Sequence, residues 1–175
     1  KFIVNKFNLY QLSTGDLLRN EIRNKTELGS KISSIMNSGE LVSDKIVGDL
    51  IEKFVSQDEY KNKIIFDGYP RTLIQAKNLD NLLKKYDQKI DIVLKLSVSL
   101  ETVKERILER QNQEQRADDN EVIAIKRFQT YEKSSEPVLD YYKQSNILKV
   151  INGEAGISEI NAEISGLIEA IKGWH

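Results

Sequence analysis

Short apolar runs alternate with longer stretches of helical periodicity along most of this chain. The runs suit buried parallel strands, because they are brief and rich in β-branched residues or leucine, and they span 9–12, 64–66, 91–96 and 147–151. Apolar residues at helical spacing predict helices over 1–8, 16–24, 26–37, 44–56, 75–85, 100–111, 121–135 and 157–172. Pro137 is expected to kink or restart the helix that ends near residue 143. Strands alternating with helices predict an α/β fold, three-layered around a parallel sheet.

The first predicted strand runs into a polar segment that suits an anion. Ser13 or Thr14 can cap the helix that follows, with Asp16 in its first turn. Arg19 lies one turn into this helix, so a capped helix start and a cation occur together. This arrangement is typical of an anion-binding site.

The second predicted strand ends in a turn with similar chemistry. Asp67 and Gly68 follow the run 64–66, and Pro70 and Arg71 come before the next helix. In open α/β sheets, ligands bind beyond the carboxyl ends of the strands. Taken alone, the segment also fits an ordinary strand–turn–helix with a solvated carboxylate and arginine.

The composition narrows the class of protein. A chain of 175 residues suffices for one domain with a sizeable core. Its net charge of −1 provides no basic field for nucleic acid, and no apolar run is long enough to span a membrane. The chain holds no cysteine, which excludes thiolate metal sites, and its one histidine is the last residue, His175. Catalysis by a Ser–His or Cys–His pair is therefore not expected.

Arginine is scarce beside lysine, with 7 arginines among the 26 basic residues. Because a guanidinium group binds phosphate oxygens bidentately and an ammonium group cannot, each arginine is a candidate phosphate ligand. The arginines are Arg19, Arg23, Arg71, Arg106, Arg110, Arg116 and Arg127. Arg106 and Arg110 share one helix face, although a salt-bridged surface helix would give the same pattern.

The two polar segments together resemble two motifs of the adenylate kinase family. Residues 13–19 read Ser-Thr-Gly-Asp-Leu-Leu-Arg, and residues 67–75 read Asp-Gly-Tyr-Pro-Arg-Thr-x-x-Gln. The resemblance covers nearly the whole chain and implies a three-layer α/β/α fold with a parallel five-stranded sheet, of the P-loop nucleoside monophosphate kinase type. It also implies a single kinase domain over 1–175, with a helical AMP clamp at 13–42 and a short lid at 111–120.

The same resemblance implies roles for individual residues. Those implied to bind AMP are Thr14, Gly15, Arg19, Leu41, Val42, Gly68, Arg71 and Gln75. Those implied to bind ATP are Arg106, Arg110 and Gly153, and those implied to act on the transferring phosphoryl group are Arg71, Arg110, Arg116 and Arg127. Asp67 is implied to hold Mg²⁺ through water. Leu41 and Val42 are equally compatible with ordinary helix packing.

The implied reaction is ATP + AMP ⇌ 2 ADP, with Mg²⁺ and without zinc, since the lid lacks cysteine. Thr14 and Thr72 follow the pattern of adenylate kinases rather than that of uridylate–cytidylate kinases. The resemblance further implies a cytoplasmic monomer, with no nucleic-acid or membrane partner. The alternatives are another nucleoside monophosphate kinase, acting on UMP or CMP, and an inactive nucleotide-binding remnant.

One family feature has no counterpart in this sequence. Adenylate kinases carry a central strand followed by a glycine-rich phosphate loop of the form GxxxxGK[ST], and that spacing does not occur here. We expect a segment with this strand and loop to precede Lys1, because a parallel sheet without its central strand should not fold.

Overall fold

A computed structural model describes residues 1–38, 40, 42–114 and 121–171. The strands of this part are β1 (Tyr10–Ser13), β2 (Ile64–Asp67), β3 (Val93–Ser97) and β4 (Leu148–Asn152). The α-helices are α1 (Phe2–Phe7), α2 (Thr14–Arg23), α3 (Glu27–Asn37), α4 (Asp44–Val55), α5 (Leu73–Lys85), α6 (Leu100–Glu114), α7 (Glu121–Gln144) and α8 (Ile157–Glu169). The four predicted strands are confirmed, and each lies within two residues of its predicted bounds.

The strands are parallel, as predicted, and they form two pairs. β1 pairs with β2, with Ser13 opposite Asp67, and β3 pairs with β4, with Ser97 opposite Asn152. The carboxyl ends of both members of a pair therefore meet at one edge. A single sheet of five strands stays a prediction.

Helix starts follow local capping rules. Ser13, Thr26 and Thr72 each accept a hydrogen bond from the backbone N–H three residues further on. Ser99 does the same at the start of α6. Ser43 precedes α4 at a position where a serine can cap a helix, but its side chain makes no capping hydrogen bond.

Two helices continue further than their sequences predict. α6 extends to Glu114, into the segment predicted as the lid, of which residues 115–120 lie outside the described residues. α7 runs through Pro137 from Glu121 to Gln144, so the helix does not restart there, and a kink at this residue stays a prediction. Proline costs this helix one hydrogen bond, but Val138 and Tyr142 beyond it are buried and pack in one cluster with Ala76 of α5. Tertiary packing thus holds the helix together past the proline.

The larger hydrophobic cluster surrounds β1 and β2. Leu12 of β1 packs there with Ile32 of α3, Ile51 of α4 and Leu79 of α5, all at most 1% exposed. This core fixes the carboxyl ends of β1 and β2 relative to the first turns of α2 and α5. None of the helices within the described ranges is long and apolar enough to cross a membrane.

Candidate functional site

A cleft of about 1060 Å³ runs between the two strand pairs and includes the carboxyl ends of β1 and β2 in its lining. Its lining includes eight of the residues predicted from the sequence, namely Thr14, Gly15, Arg19, Val42, Asp67, Gly68, Arg71 and Gln75. These residues come from segments far apart in the sequence, and the fold brings them to one cavity. The lining also includes apolar residues of β2 and β3, so the cleft reaches both strand pairs.

The first side of the cleft is the start of α2. The side chain of Ser13 accepts a hydrogen bond from the backbone N–H of Asp16 at 3.3 Å and thereby fixes the first turn. Arg19 lies one turn later, and its Nη2 is 2.5 Å from the carboxylate of Asp16. Gly15 leaves room for this guanidinium group, because an added Cβ would lie 3.0 Å from Nη2 of Arg19. A positive helix end and a cation therefore face the same cavity.

The turn after β2 lies next to the start of α2 in the lining of the cleft. Gly68 has a φ of 69°, a left-handed conformation that favours glycine. Nε of Arg71 donates to the carbonyl oxygen of Gly68 at 2.7 Å, and an added Cβ on Gly68 would lie 2.9 Å from Nη2 of Arg71. The hydroxyl of the buried Thr14 donates to the same carbonyl at 3.3 Å. This carbonyl thus ties the start of α2 to the arginine of the second motif.

Asp67 ends β2 as an exposed carboxylate in the cleft lining. Its Oδ2 accepts a hydrogen bond from Nε2 of Gln11 at 2.8 Å, which orients the group from the neighbouring strand. Within the residues that the structure describes, no group of three or more Asp, Glu, His or Cys could hold a metal by itself. A single oriented carboxylate suits Mg²⁺, which keeps several waters and takes further ligands from phosphates.

Gln75 is buried, with only 3% of its surface exposed, and its side-chain amide has partners at both ends. Oε1 accepts from the backbone N–H of Arg71 at 2.7 Å, and Nε2 donates to Oδ1 of Asp44 at 2.7 Å. Sequence reasoning missed Asp44, which it treated only as the start of α4. Val42 is both a member of the larger core cluster and part of the cleft lining, so its two interpretations are compatible.

A second group of predicted residues meets beside the other strand pair. Nη2 of Arg106, on α6, donates to the carbonyl oxygen of Gly153, in the turn after β4, at 2.7 Å. An added Cβ on Gly153 would lie 2.5 Å from Cγ1 of Val98, so only glycine fits this close approach. Neither Arg106 nor Gly153 belongs to the lining of the cleft. The sequence thus predicted two locations, and the structure keeps them separate.

Comparison with known proteins decides the family. A family model described as adenylate kinase matches residues 1–147. The chain belongs to the adenylate kinase family. An adenylate kinase of Prochlorococcus marinus is 43% identical over 87% of this chain and 81% of its own length. Adenylate kinases of Pelagibacter ubique and Bifidobacterium longum are 36% and 38% identical, over 95% and 93% of this chain and 91% and 88% of their own lengths.

Some residues that the adenylate kinase resemblance implicates are not described. Leu41, Arg116 and the side chains of Arg110 and Arg127 lie outside the described residues, so their roles stay predictions. Sequence reasoning did not single out Glu154, which follows Gly153 in the turn after β4. Its carboxylate accepts from the backbone N–H of Ser99 at 2.5 Å and from the hydroxyl of Thr102. These hydrogen bonds, first that of Thr102, lower the pKa of Glu154 and join the turn of Gly153 to the start of α6.

Proposed function

We propose that this chain transfers a phosphoryl group reversibly from ATP to AMP, forming two ADP, in the presence of Mg²⁺. One observation carries the acceptor side of this proposal: Arg19, Arg71 and Gln75 line one cleft at the ends of two parallel strands. Two guanidinium groups suit a phosphate, and a buried amide suits the edge of a base. Membership of the adenylate kinase family supports the reaction class.

Arg19 and Arg71 hold the phosphate of AMP in this proposal. Their present partners include an exposed carboxylate and a backbone carbonyl, which a dianionic phosphate can replace. The positive end of α2 adds to the attraction. Phosphoryl transfer leaves most of the work to positioning and charge stabilisation, so the site needs no histidine or strong base.

Asp67 holds Mg²⁺ through water in the same proposal. The exposure of its carboxylate and its orientation by Gln11 fit this role. Bound Mg²⁺ would neutralise charge on the phosphates. Removing Mg²⁺ with a chelator should stop turnover, and zinc found in stoichiometric amount in a metal analysis would contradict the zinc-free lid.

The remaining arginines are proposed to bind ATP and the transferring phosphoryl group. Arg106 stacks on the adenine of ATP beside Gly153, and their 2.7 Å contact supports a shared location. Arg110, Arg116 and Arg127 surround the transferring group. The AMP clamp at 13–42 and the lid at 111–120 close over the nucleotides and exclude water. The enzyme acts as a cytoplasmic monomer, and a mass from light scattering equal to that of one chain of the native protein would agree with the monomer.

The cleft between the strand pairs supports the predicted fifth strand and its phosphate loop. Ile65 and Phe66 of β2 line it from one pair, and Leu94 and Leu96 of β3 line it from the other. An apolar strand inserted between them would bury these side chains and pair with both edges. The mass of the native protein tests this idea, because full kinase activity at 20.1 kDa would contradict it.

Acceptor choice tests the proposed substrate. The unmodified protein should phosphorylate AMP in preference to UMP and CMP, and Gln75→Ala should weaken this selectivity more than it weakens ATP binding. Comparable turnover of UMP and AMP would instead favour a uridylate–cytidylate kinase. The absence of any turnover would favour an inactive nucleotide-binding protein.

Charge-preserving substitutions test the arginines. Arg71→Lys keeps the charge but loses the planar fork, and we expect it mainly to raise the KM for AMP. Arg116→Lys should mainly lower kcat, because the lid acts on the transferring group. Loss of one charge-assisted contact costs roughly 1.5–3 kcal/mol, or about 10- to 150-fold.

Arg23→Lys is the matched control for these two variants. Arg23 is exposed at the end of α2 and donates to Asn20 of its own helix, away from the cleft lining. Steady-state kinetics with both nucleotides varied should leave this variant near wild type. Near-wild-type kinetics for all three variants would refute the assignment of the site.

A further inference from the structure

The amide of Gln75 is held in one orientation by two partners of opposite chemistry. Nε2 lies 2.7 Å from Oδ1 of Asp44, and Oε1 lies 2.7 Å from the backbone nitrogen of Arg71. An ionised carboxylate can only accept a hydrogen bond, and a backbone N–H can only donate one. The nitrogen end of the amide therefore belongs toward Asp44, and the oxygen end belongs toward Arg71.

Asp44 is itself held at this position. Its Oδ1 lies 3.4 Å from the hydroxyl of Thr72, the residue that caps α5. The buried Tyr69 lies close by, and its hydroxyl donates to the backbone oxygen of Gln75 at 3.4 Å. Burial, and secondarily the charge of Asp44, raise the pKa of Tyr69 to about 12, so Tyr69 stays a neutral donor. The carboxylate thus sits within a network that joins α4 to the start of α5.

The held amide offers the cleft one remaining N–H and one remaining oxygen lone pair in a fixed order. Adenine presents an amino donor beside a ring-nitrogen acceptor on its base-pairing edge. Hypoxanthine, a 6-oxopurine, presents a carbonyl acceptor beside a ring N–H donor, which is the reverse order. An amide that can turn over serves both bases, whereas an amide held in place pairs with only one of them.

We propose that Asp44 is a positioning residue that fixes the orientation of Gln75 and thereby selects a 6-aminopurine over a 6-oxopurine at the acceptor site. This inference rests on the proposed function, because it assumes that the cleft binds the acceptor nucleotide. Asp44 acts on the base only through Gln75. It therefore affects the choice between bases more than the rate of phosphoryl transfer.

The test compares AMP and IMP with the unmodified protein and with Asp44→Asn. The variant keeps the shape of the side chain but can offer Gln75 either a donor or an acceptor. We expect the ratio of kcat/KM for AMP to that for IMP to fall about tenfold or more, with the change mainly in KM. Asp49→Asn removes the same charge from an exposed position of α4 outside this network, and its ratio should not change.

Two further variants separate positioning from a merely structural effect. Asp44→Glu keeps a carboxylate and should recover most of the preference for AMP. In a Gln75→Ala background, Asp44→Asn should change the ratio no further, since the amide through which it acts is gone. Should Asp44→Asn fail to fold, Asp44→Ser takes its place in the same comparison.

Measuring the binding of AMP and IMP to the unmodified protein without ATP distinguishes failure of the proposed function from failure of the role of Asp44. A protein that binds neither nucleotide would refute the proposed function and this inference with it. A protein that prefers AMP, and keeps that preference in Asp44→Asn, would refute the role of Asp44 alone. An equal loss of affinity for both nucleotides would also overturn it, because that is the result of a structural defect.

Discussion

Two halves of the molecule are stabilised differently. In the half proposed to bind the acceptor, called the acceptor half and formed by β1, β2 and α2–α5, side chains such as Leu12 and Ile51 are almost fully buried in the larger cluster. In the half proposed to bind the donor, called the donor half and formed by β3, β4, α6 and α7, the buried cluster around Val138 is smaller and includes Ala76 of α5. The residues proposed to bind the acceptor therefore lie beside a large packed core, whereas Arg106 and Gly153, proposed to bind the donor, lie in the half with the smaller cluster and contact each other through a hydrogen bond.

The polar contacts of the donor half are concentrated where α6 starts. Arg106 binds the carbonyl of Gly153, and Glu154 binds the backbone of Ser99 and the hydroxyl of Thr102. The contacts of Glu154 are exposed and contribute little each, because water competes for the same groups. The comparison teaches that one protein can fix one candidate site mainly by burial in a core and another mainly by individual hydrogen bonds.

Replacing a buried isoleucine by alanine in each half should give the largest loss of stability. Ile51 of α4 and Ile151 of β4 are both 0% exposed. Ile51→Ala should lower the free energy of unfolding by about 2–5 kcal/mol, and Ile151→Ala should fall at the low end of that range, because a looser region collapses more readily around a cavity. Urea unfolding measures both. A greater loss for Ile151→Ala would contradict the comparison.

Two glycines sharpen the description of the acceptor half. An added Cβ on Gly29 would lie 2.1 Å from the backbone oxygen of Glu21, where α3 packs against α2, whereas Gly48 in α4 has nothing within 4 Å. Gly29→Ala should therefore destabilise the protein by about 1–3 kcal/mol. Gly48→Ala should stabilise it by about 0.5–1 kcal/mol, because alanine favours a helix interior. Similar thermal unfolding midpoints for both variants would rule out the close contact.

Removing a helix cap in the acceptor half should lower the free energy of unfolding by a smaller amount. Thr26 accepts from the backbone N–H of Gly29 at 2.9 Å, whereas Ser43 makes no side-chain cap. Thr26→Ala should lower the free energy of unfolding by about 1 kcal/mol, and Ser43→Ala should leave it nearly unchanged. Chemical denaturation compares them directly. An equal loss in both variants would mean that the observed bond adds nothing.

The smallest expected change in stability is in the donor half, at Glu154, and it depends on pH. Hydrogen bonds lower the pKa of Glu154 in the folded protein below its ordinary value of 4.5. Its stabilising contribution is therefore fully present above that value and is lost as the pH falls through the lower pKa of the folded state. Urea midpoints of wild type and Glu154→Gln should differ at pH 7 and converge toward pH 3. A difference that stays constant over this range would exclude a contribution from the charge.

Much of the acceptor half follows from local sequence. The caps at Ser13, Thr26 and Thr72 link residues only three positions apart, so a short segment is enough to predict them. The strands β1 and β2 end where polar residues replace apolar ones, which located Asp67 and Arg71 at one edge. For the same reason, the two motifs identified the family before any contact between them was known.

Tertiary structure alone decided the contacts that orient these residues. Asp44 and Gln75 are 31 positions apart, and Glu154 and Ser99 are 55 apart, so no local pattern pairs them. The continuity of α7 through Pro137 likewise depends on packing against α5, which outweighs the local preference of proline. The sequence by itself determined which chemical groups stand at the strand ends. Only the fold decided which partner holds each group, because long-range packing brings those partners together.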